Sequence, residues 1–120
     1  MHKRVTYLTG LSTDSEVIEK IKTIISDTKA TNIMVVLDSD YRRDHVFKEL
    51  ELYNSFVTLG NYLIVERSDY NGHPIYPESG PGPMEAVNDF LKINSDFRVD
   101  KTREKFLLTF NPSGYLRRIS

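Results

Sequence analysis

Residues 33–40 decide the fold: Ile33-Met34-Val35-Val36-Leu37-Asp38-Ser39-Asp40. Five apolar side chains in a row leave no polar face. Such runs belong to strands covered on both sides, as in parallel sheets flanked by helices. A second run, Tyr62-Leu63-Ile64-Val65, stops at Glu66 as the first stops at Asp38. Between them a helix is predicted from about Arg42 to Phe56, with Val46, Phe47, Leu50 and Tyr53 turned inward, and Gly60 breaks the pattern. Strand, helix, strand in this order is a right-handed crossover between parallel strands.

Working outward, Val5 to Leu8 reads as a short strand ending at Thr9-Gly10. Thr13 and Glu16 have the spacing of a capping box. They precede a helix with Val17, Ile18, Ile21, Ile24 and Ile25 on one face, ending near Lys29 to Asn32. After Glu66 the chain changes character. Asn71-Gly72-His73-Pro74 and Ser79-Gly80-Pro81-Gly82 are dense in turn formers, and a connection this long in a compact domain is a candidate functional loop. Pro83 suits the first position of a helix carrying Ala86, Val87, Phe90 and Leu91 and ending near Asn94. Phe97 to Asp100 and Phe106 to Phe110 read as an antiparallel strand pair at the sheet edge. Asn111 to Gly114 then turns the chain into Tyr115 to Ile119. The expected fold is one α/β domain over residues 1–120, a partial Rossmann-like sheet. It is mostly parallel with an antiparallel C-terminal pair, and has helices on both faces.

Composition narrows the function classes. In 120 residues, 16 basic and 17 acidic side chains leave a net charge of -1. That balance provides no field to attract nucleic acid or an anionic membrane. No apolar run approaches the roughly 18 residues of a membrane span. The segment after Met1-His2-Lys3-Arg4 is too short and polar for a signal sequence. The absence of cysteine excludes disulfides, thiolate metal sites and a cysteine nucleophile. A cytoplasmic protein acting on a small molecule is the expectation.

Chemistry concentrates where the strands end. Ligands of open α/β sheets bind beyond the carboxyl ends of the strands. Neighbouring strands lie about 4.8 Å apart, so Asp38 and Glu66 would enter one crevice. Two carboxylates so close repel unless a positive charge intervenes. Mg²⁺ would accept them together with water and substrate oxygens. Asp40 either caps the following helix or joins the site. The structural reading of a single strand-end aspartate is a turn or cap; two acids at successive strand ends favour function.

Other residues carry paired readings. His73, in the turn-rich loop, is a general base or substrate contact if functional, and an exposed loop histidine otherwise. Arg67 pairs with an acid, holds an anionic group or is simply solvated. His45 reads as a surface residue of its helix. Tyr53, Phe56, Phe90, Phe97, Phe106 and Phe110 fall at core periods and read as packing.

With these residues placed, the chain resembles the cephalosporin-hydroxylase and rhamnosyl O-methyltransferase family. Val35 to Asp40 with His45-Val46 and Glu49-Leu50 is similar to the family's fourth strand and following helix, and Gly60 to Glu66 to its fifth strand. Gly80-Pro81-Gly82-Pro83 with Glu85-Ala86-Val87, then Arg103 to Pro112 and Gly114-Tyr115-Leu116, resembles its C-terminal run closely. Thr6 to Gly10 with Ser12-Thr13-Asp14 looks like the third strand and its loop. The likeness covers essentially the whole chain.

The resemblance implies a class I methyltransferase-like fold and S-adenosylmethionine as cofactor. It implies a sugar, lipid-linked sugar or related metabolite as acceptor. It places a divalent metal on the acid after the fourth strand and an acidic pair after the fifth, here Asp38, Glu66 and Arg67. Arg67 departs from the family's aspartate and cannot ligate a cation, so the metal set is Asp38 and Glu66. Tyr41 stands where the family tends to have histidine. The implied catalytic set is Asp38, Asp40, Tyr41 and His73, and the implied cofactor contacts are Gly10, Leu11, Ser12 and Asp38.

The glycine-rich loop that follows the first strand in such enzymes has no counterpart before Val5. The chain is therefore expected to be the C-terminal half of the fold. Its unpaired strand edges would be covered by re-pairing, by a homo-oligomer or by a complementary N-terminal half. A non-catalytic remnant or interaction module with the same fold is the alternative. A Mg²⁺-dependent phosphotransfer domain reading Asp38-x-Asp40 is disfavoured by Tyr41-Arg42-Arg43, where Gly-Thr is wanted.

Overall fold

The computed structural model describes residues 2–105 and 108–120. The chain forms two compact units, Met1–Ala30 and Thr31–Ser120. In the first, helix α1 spans Ser15–Thr28. Val17 and Ile18 are buried and Ile21, Ile24 and Ile25 partly so, which is the face the periodicity predicts. The helix ends in a left-handed Lys29, whose amide and that of Ala30 return to Ser26 and Ile25. Its N-cap is Asp14, so the expected box on Thr13 gives way to a start one residue later. The Asp14 carboxylate accepts instead from the amide of Leu11 at 3.2 Å. The strand expected at Val5 to Leu8 is not formed: the segment is irregular and exposed. Among the described residues of this unit no strand lies beside it to take up its amides.

The second unit holds β1 (Val35–Leu37), α2 (Arg43–Tyr53), β2 (Tyr62–Val65), α3 (Pro83–Ile93), β3 (Phe97–Val99) and β4 (Tyr115–Arg118). A 3-10 turn, Asn54–Phe56, continues α2. The sheet order is β1-β2-β4-β3. β1 and β2 are parallel, with Leu37 opposite Val65. β4 is antiparallel to both β2 and β3. This corrects the expectation of a mostly parallel sheet: one of three pairings is parallel. The antiparallel C-terminal pair exists, but the partner of β3 is Tyr115–Arg118. Of the strand expected at 106–110, Phe106 and Leu107 lie outside the described residues, and Leu108 to Phe110 are irregular.

Leu37, Leu63, Val65, Phe97 and Leu116 share one face of the sheet with Val46 and Leu50 of α2 and Ala86, Val87 and Phe90 of α3. Burying side chains of this size contributes about 1.5–3 kcal/mol each. Both helices of this unit cover that single face and pack on each other, so the expected helices on both faces are not found within it. Val36, on the opposite face of β1, stays 47% exposed, and Met34 just before it 55%. The unbroken apolar run therefore marks one covered face here. Arg43 fastens the helix pair: its guanidinium donates to Asp89 of α3 at 2.8 and 3.1 Å and lies over the Phe47 ring. Pro83 opens α3 as expected, and Glu85 accepts the amide of Gly82 at 2.7 Å.

Among the described residues, no helix is long and apolar enough to cross a membrane.

Candidate functional site

The parallel pairing brings two of the predicted site residues to one end of the sheet. With Leu37 opposite Val65, the residues that follow, Asp38 and Glu66, leave neighbouring strands at the same end. The amide of Glu66 donates to the carbonyl of Leu37 at 3.0 Å, so the two strand ends are still joined where the acids begin. Asp38 is exposed and Glu66 half-buried.

Tyr41 turns back over this rim and donates its hydroxyl to Asp38 Oδ1 at 2.9 Å. That hydrogen bond onto a carboxylate is the main cause holding the Tyr41 pKa above the ordinary 10.0, and burial adds to it. Asp40 does not join the pair. It accepts the backbone amide of Arg42 at 2.9 Å and takes its guanidinium on both oxygens. Those bonds pull the Asp40 pKa down to about 2. The N-cap of α2 is Arg42, so Asp40 does not cap the helix as weighed; it closes the turn just before it.

Arg67 takes the first of its three expected alternatives. Its guanidinium pairs with Asp69, with Nε 3.2 Å from Oδ1 and Nη2 3.3 Å from Oδ2. It is sandwiched between the rings of Tyr70, at 4.0 Å, and Phe110, at 4.7 Å. The backbone at Arg67 is left-handed, with φ 56°, and is held there by Asn111 Oδ1, which accepts its amide at 3.0 Å. Phe110, read as core, is 68% exposed and serves as one wall of this sandwich.

Three tyrosine rings run on from Asp38. Tyr41 meets Tyr70 edge to face at 5.0 Å, and Tyr70 meets Tyr76 in the same way at 5.3 Å. Tyr76 has φ 50°, a conformation that costs an ordinary side chain about 1–3 kcal/mol, and it is 61% exposed. The row was missed in the sequence because its members come from two separate loops. Three tyrosines among turn formers was the available signal.

His73 lies in the loop after β2, beside an open cleft of about 830 Å³ that Ile75, Leu108 and Phe110 also line. Its Nε2 contacts the Glu85 carboxylate. Burial works to raise the Glu85 pKa, but the bonds from His73 and the Gly82 amide outweigh it and the net shift is downward.

His45, read as a surface residue, is largely covered. Its Nε2 is 3.1 Å from Ser39 Oγ and 3.4 Å from the carboxylate of Glu49. Ser39 Oγ donates to Glu49 at 2.7 Å, and Glu49 is only 2% exposed. The i, i+4 spacing of His45 and Glu49 was the sequence signal for this cluster. It braces the turn that carries Asp38.

Gly10, Leu11 and Ser12, the expected cofactor contacts, lie in the Met1–Ala30 unit. Gly10 has φ 141°, and a Cβ there would come within 2.8 Å of Val17.

For a divalent metal the donor set is narrow. Asp40 is committed to Arg42. Among the described residues no group of three or more His, Asp or Glu side chains is placed to hold an ion. Asp38 and Glu66 supply two carboxylates, which suits only a hard cation that keeps water and substrate oxygens as its remaining ligands.

The fold and site define an α/β chain that presents paired acids and an aromatic row beyond the carboxyl ends of adjacent parallel strands, the usual small-molecule position in such sheets. The chain belongs to the rhamnosyl O-methyltransferase/CmcI family, which matches residues 1–119. It is 37% identical over 116 residues to proteins named rhamnosyl O-methyltransferase from Mycobacterium tuberculosis (strain H37Rv) and Mycobacterium bovis (strain BCG / Pasteur 1173P2). That match covers 95% of this chain and 47% of each relative. A protein of the same name from Mycobacterium leprae is 34% identical, with 50% of its length covered. The chain thus spans about half the length of these curated relatives. No solved structure matches it significantly.

Proposed function

We propose that this chain carries the acceptor-side half of a sugar O-methyltransferase, which transfers a methyl group from S-adenosylmethionine to a hydroxyl of a sugar, a lipid-linked sugar or a related metabolite. The supporting observation is the parallel register that ends adjacent strands at Asp38 and Glu66, in a family named for rhamnosyl O-methyl transfer. In the step, a lone pair of the acceptor oxygen attacks the methyl carbon. The carbon–sulfur bond breaks, its electron pair stays on sulfur, and the hydroxyl proton passes to a base.

Asp38 is the assigned base, since it is exposed at the strand end with a hydroxyl donor already on one oxygen. Tyr41 orients that carboxylate. Mg²⁺, held by Asp38 and Glu66, would supply Lewis-acid polarisation of the acceptor hydroxyl when bound. Asp40 shapes the turn. His73, fixed by Glu85, holds the loop after β2 against the cleft. Gly10, Leu11 and Ser12 are assigned to the cofactor, and a complementary half or a second copy of the chain would complete that part of the site.

Titration calorimetry with S-adenosylmethionine, with and without Mg²⁺, tests the reading, followed by transfer of labelled methyl to methyl α-L-rhamnopyranoside. Saturable cofactor binding and label in the sugar are expected. A chain that binds neither cofactor nor metal would be the non-catalytic module instead.

A further inference from the structure

We propose that the exposed ring of Tyr76, backed edge to face by Tyr70 and Tyr41, is the platform against which the acceptor's sugar ring lies, and that it sets acceptor preference. This rests on the reading of Asp38 as the base for a sugar hydroxyl. The rings follow one another edge to face at 5.0 and 5.3 Å, and the first of them is hydrogen-bonded to Asp38 at 2.9 Å. The row thus links the exposed Tyr76 ring to the side of the sheet where Asp38 lies.

The loop is built to present this row. Tyr76 is held in a left-handed conformation while its ring stays largely in solvent. Three bonds keep it there: Ile75 N–H donates to Asp69 O at 2.9 Å, Gly72 N–H to Ile75 O at 2.8 Å, and Ser79 N–H to Tyr76 O at 3.1 Å. Tyr76 meets Tyr70 edge to face and still keeps most of its ring in solvent, so ring surface remains available to a ligand.

The chemistry of the row selects a neutral ring. Arg67 lies over Tyr70, but its charge is engaged by Asp69, which is 5% exposed. An anionic group would find that cation already paired. A pyranose offers an apolar C–H face to aromatic rings and a rim of hydroxyls to a carboxylate. That combination matches three tyrosines ending at Asp38.

The test is a nuclear magnetic resonance titration of the isotope-labelled chain with methyl α-L-rhamnopyranoside. Shifts are expected at Tyr41, Tyr70 and Tyr76. Tyr76→Ala should weaken binding about five- to tenfold and lower melting by no more than loss of the Tyr70 contact accounts for, while Tyr76→Phe keeps the ring, the melting temperature and most of the affinity. Shifts confined to the cleft at Ile75, Leu108 and Phe110, no saccharide-induced shifts, or equal affinity in Tyr76→Ala would each overturn the platform. So would a Tyr76→Ala variant that loses S-adenosylmethionine affinity and keeps the sugar's. Sugar binding on the row without methyl transfer would remove the assigned reaction and leave the platform standing.

Discussion

The hydroxyl of Tyr41 donates to Asp38 Oδ1 at 2.9 Å, across the rim where β1 hands over to the turn before α2. Because the carboxylate accepts that proton, ionising the phenol would set two negative charges against each other, and the Tyr41 pKa is raised. Asp38→Asn removes the charge and should bring the Tyr41 titration back down toward its ordinary value of 10.0. If Asp38 is the base proposed above, the same substitution should lower methyl transfer by about 10²–10⁴, the range a positioned base supplies. Ring-carbon resonances of labelled tyrosine followed against pH read the first effect, and a turnover assay the second. An unmoved Tyr41 titration would mean that the contact is not formed in solution.

Behind Asp38, Ser39 donates to the buried carboxylate of Glu49 at 2.7 Å, with His45 3.4 Å from the same oxygen. Removing one partner of a buried charged acceptor costs about 1–3 kcal/mol. Ser39→Ala is expected to lose that much in urea denaturation. On the proposed function it should also reduce turnover, because the bond anchors the turn that carries Asp38. A variant as stable as the parent would show that Glu49 is satisfied without Ser39.

The part of this arrangement that was legible in the sequence is the part made of local patterns. The apolar runs at 33–37 and 62–65 and the helical period between them gave β1, α2 and β2, with their acids at the same end. Two things were not legible. β4 carries one fully buried residue, Leu116, between Tyr115 and two arginines, so it lacks the apolar signature of an interior strand. Its arginines satisfy backbone carbonyls instead: Arg118 donates to Val57 O at 2.7 Å and Arg117 to Gly60 O at 3.4 Å. The tyrosine row and the Arg67 sandwich depend on long-range contacts between loops, which no period encodes. The exposure of Val36 has a different origin. An unbroken apolar run fits a strand covered on both faces, and the Thr31–Ser120 unit places both of its helices on one.

At the far edge of the sheet, Asp100 follows β3 and collects hydrogen bonds from Thr102, through Oγ1 at 2.6 Å and its amide at 3.1 Å, and from the Tyr62 hydroxyl at 2.6 Å. Bonding from Thr102 and then Tyr62 draws its pKa from 3.8 down to about 2. A carboxylate whose folded pKa is depressed stabilises the fold fully above its ordinary value. That contribution is lost as pH falls through the folded one. Asp100→Asn should therefore melt below the parent at neutral pH. The gap should narrow as pH drops from 3.8 and close near 2. Thermal melts of both proteins across that window provide the comparison. A constant gap at every pH would assign the loss to packing instead of charge.

Gly114 allows the close approach that brings β4 alongside β2. Its carbonyl accepts the amide of Val65 at 2.8 Å, and its own amide donates to Asn111 O at 2.9 Å. A Cβ built there would stand 2.3 Å from the carbonyl oxygen of Val65 and 3.1 Å from that of Asn111. Both obstacles are backbone atoms, so no rotamer change relieves them; the strands must separate. Overpacking typically costs about 1–3 kcal/mol, and a clash with backbone falls at the upper end or beyond. Gly114→Ala is expected to lower the urea midpoint accordingly. Because Val65 precedes Glu66, it should also disturb the amide resonances of Glu66 and Arg67. Unmoved Glu66 and Arg67 resonances in Gly114→Ala would place β4 farther from Val65 than the pairing described above.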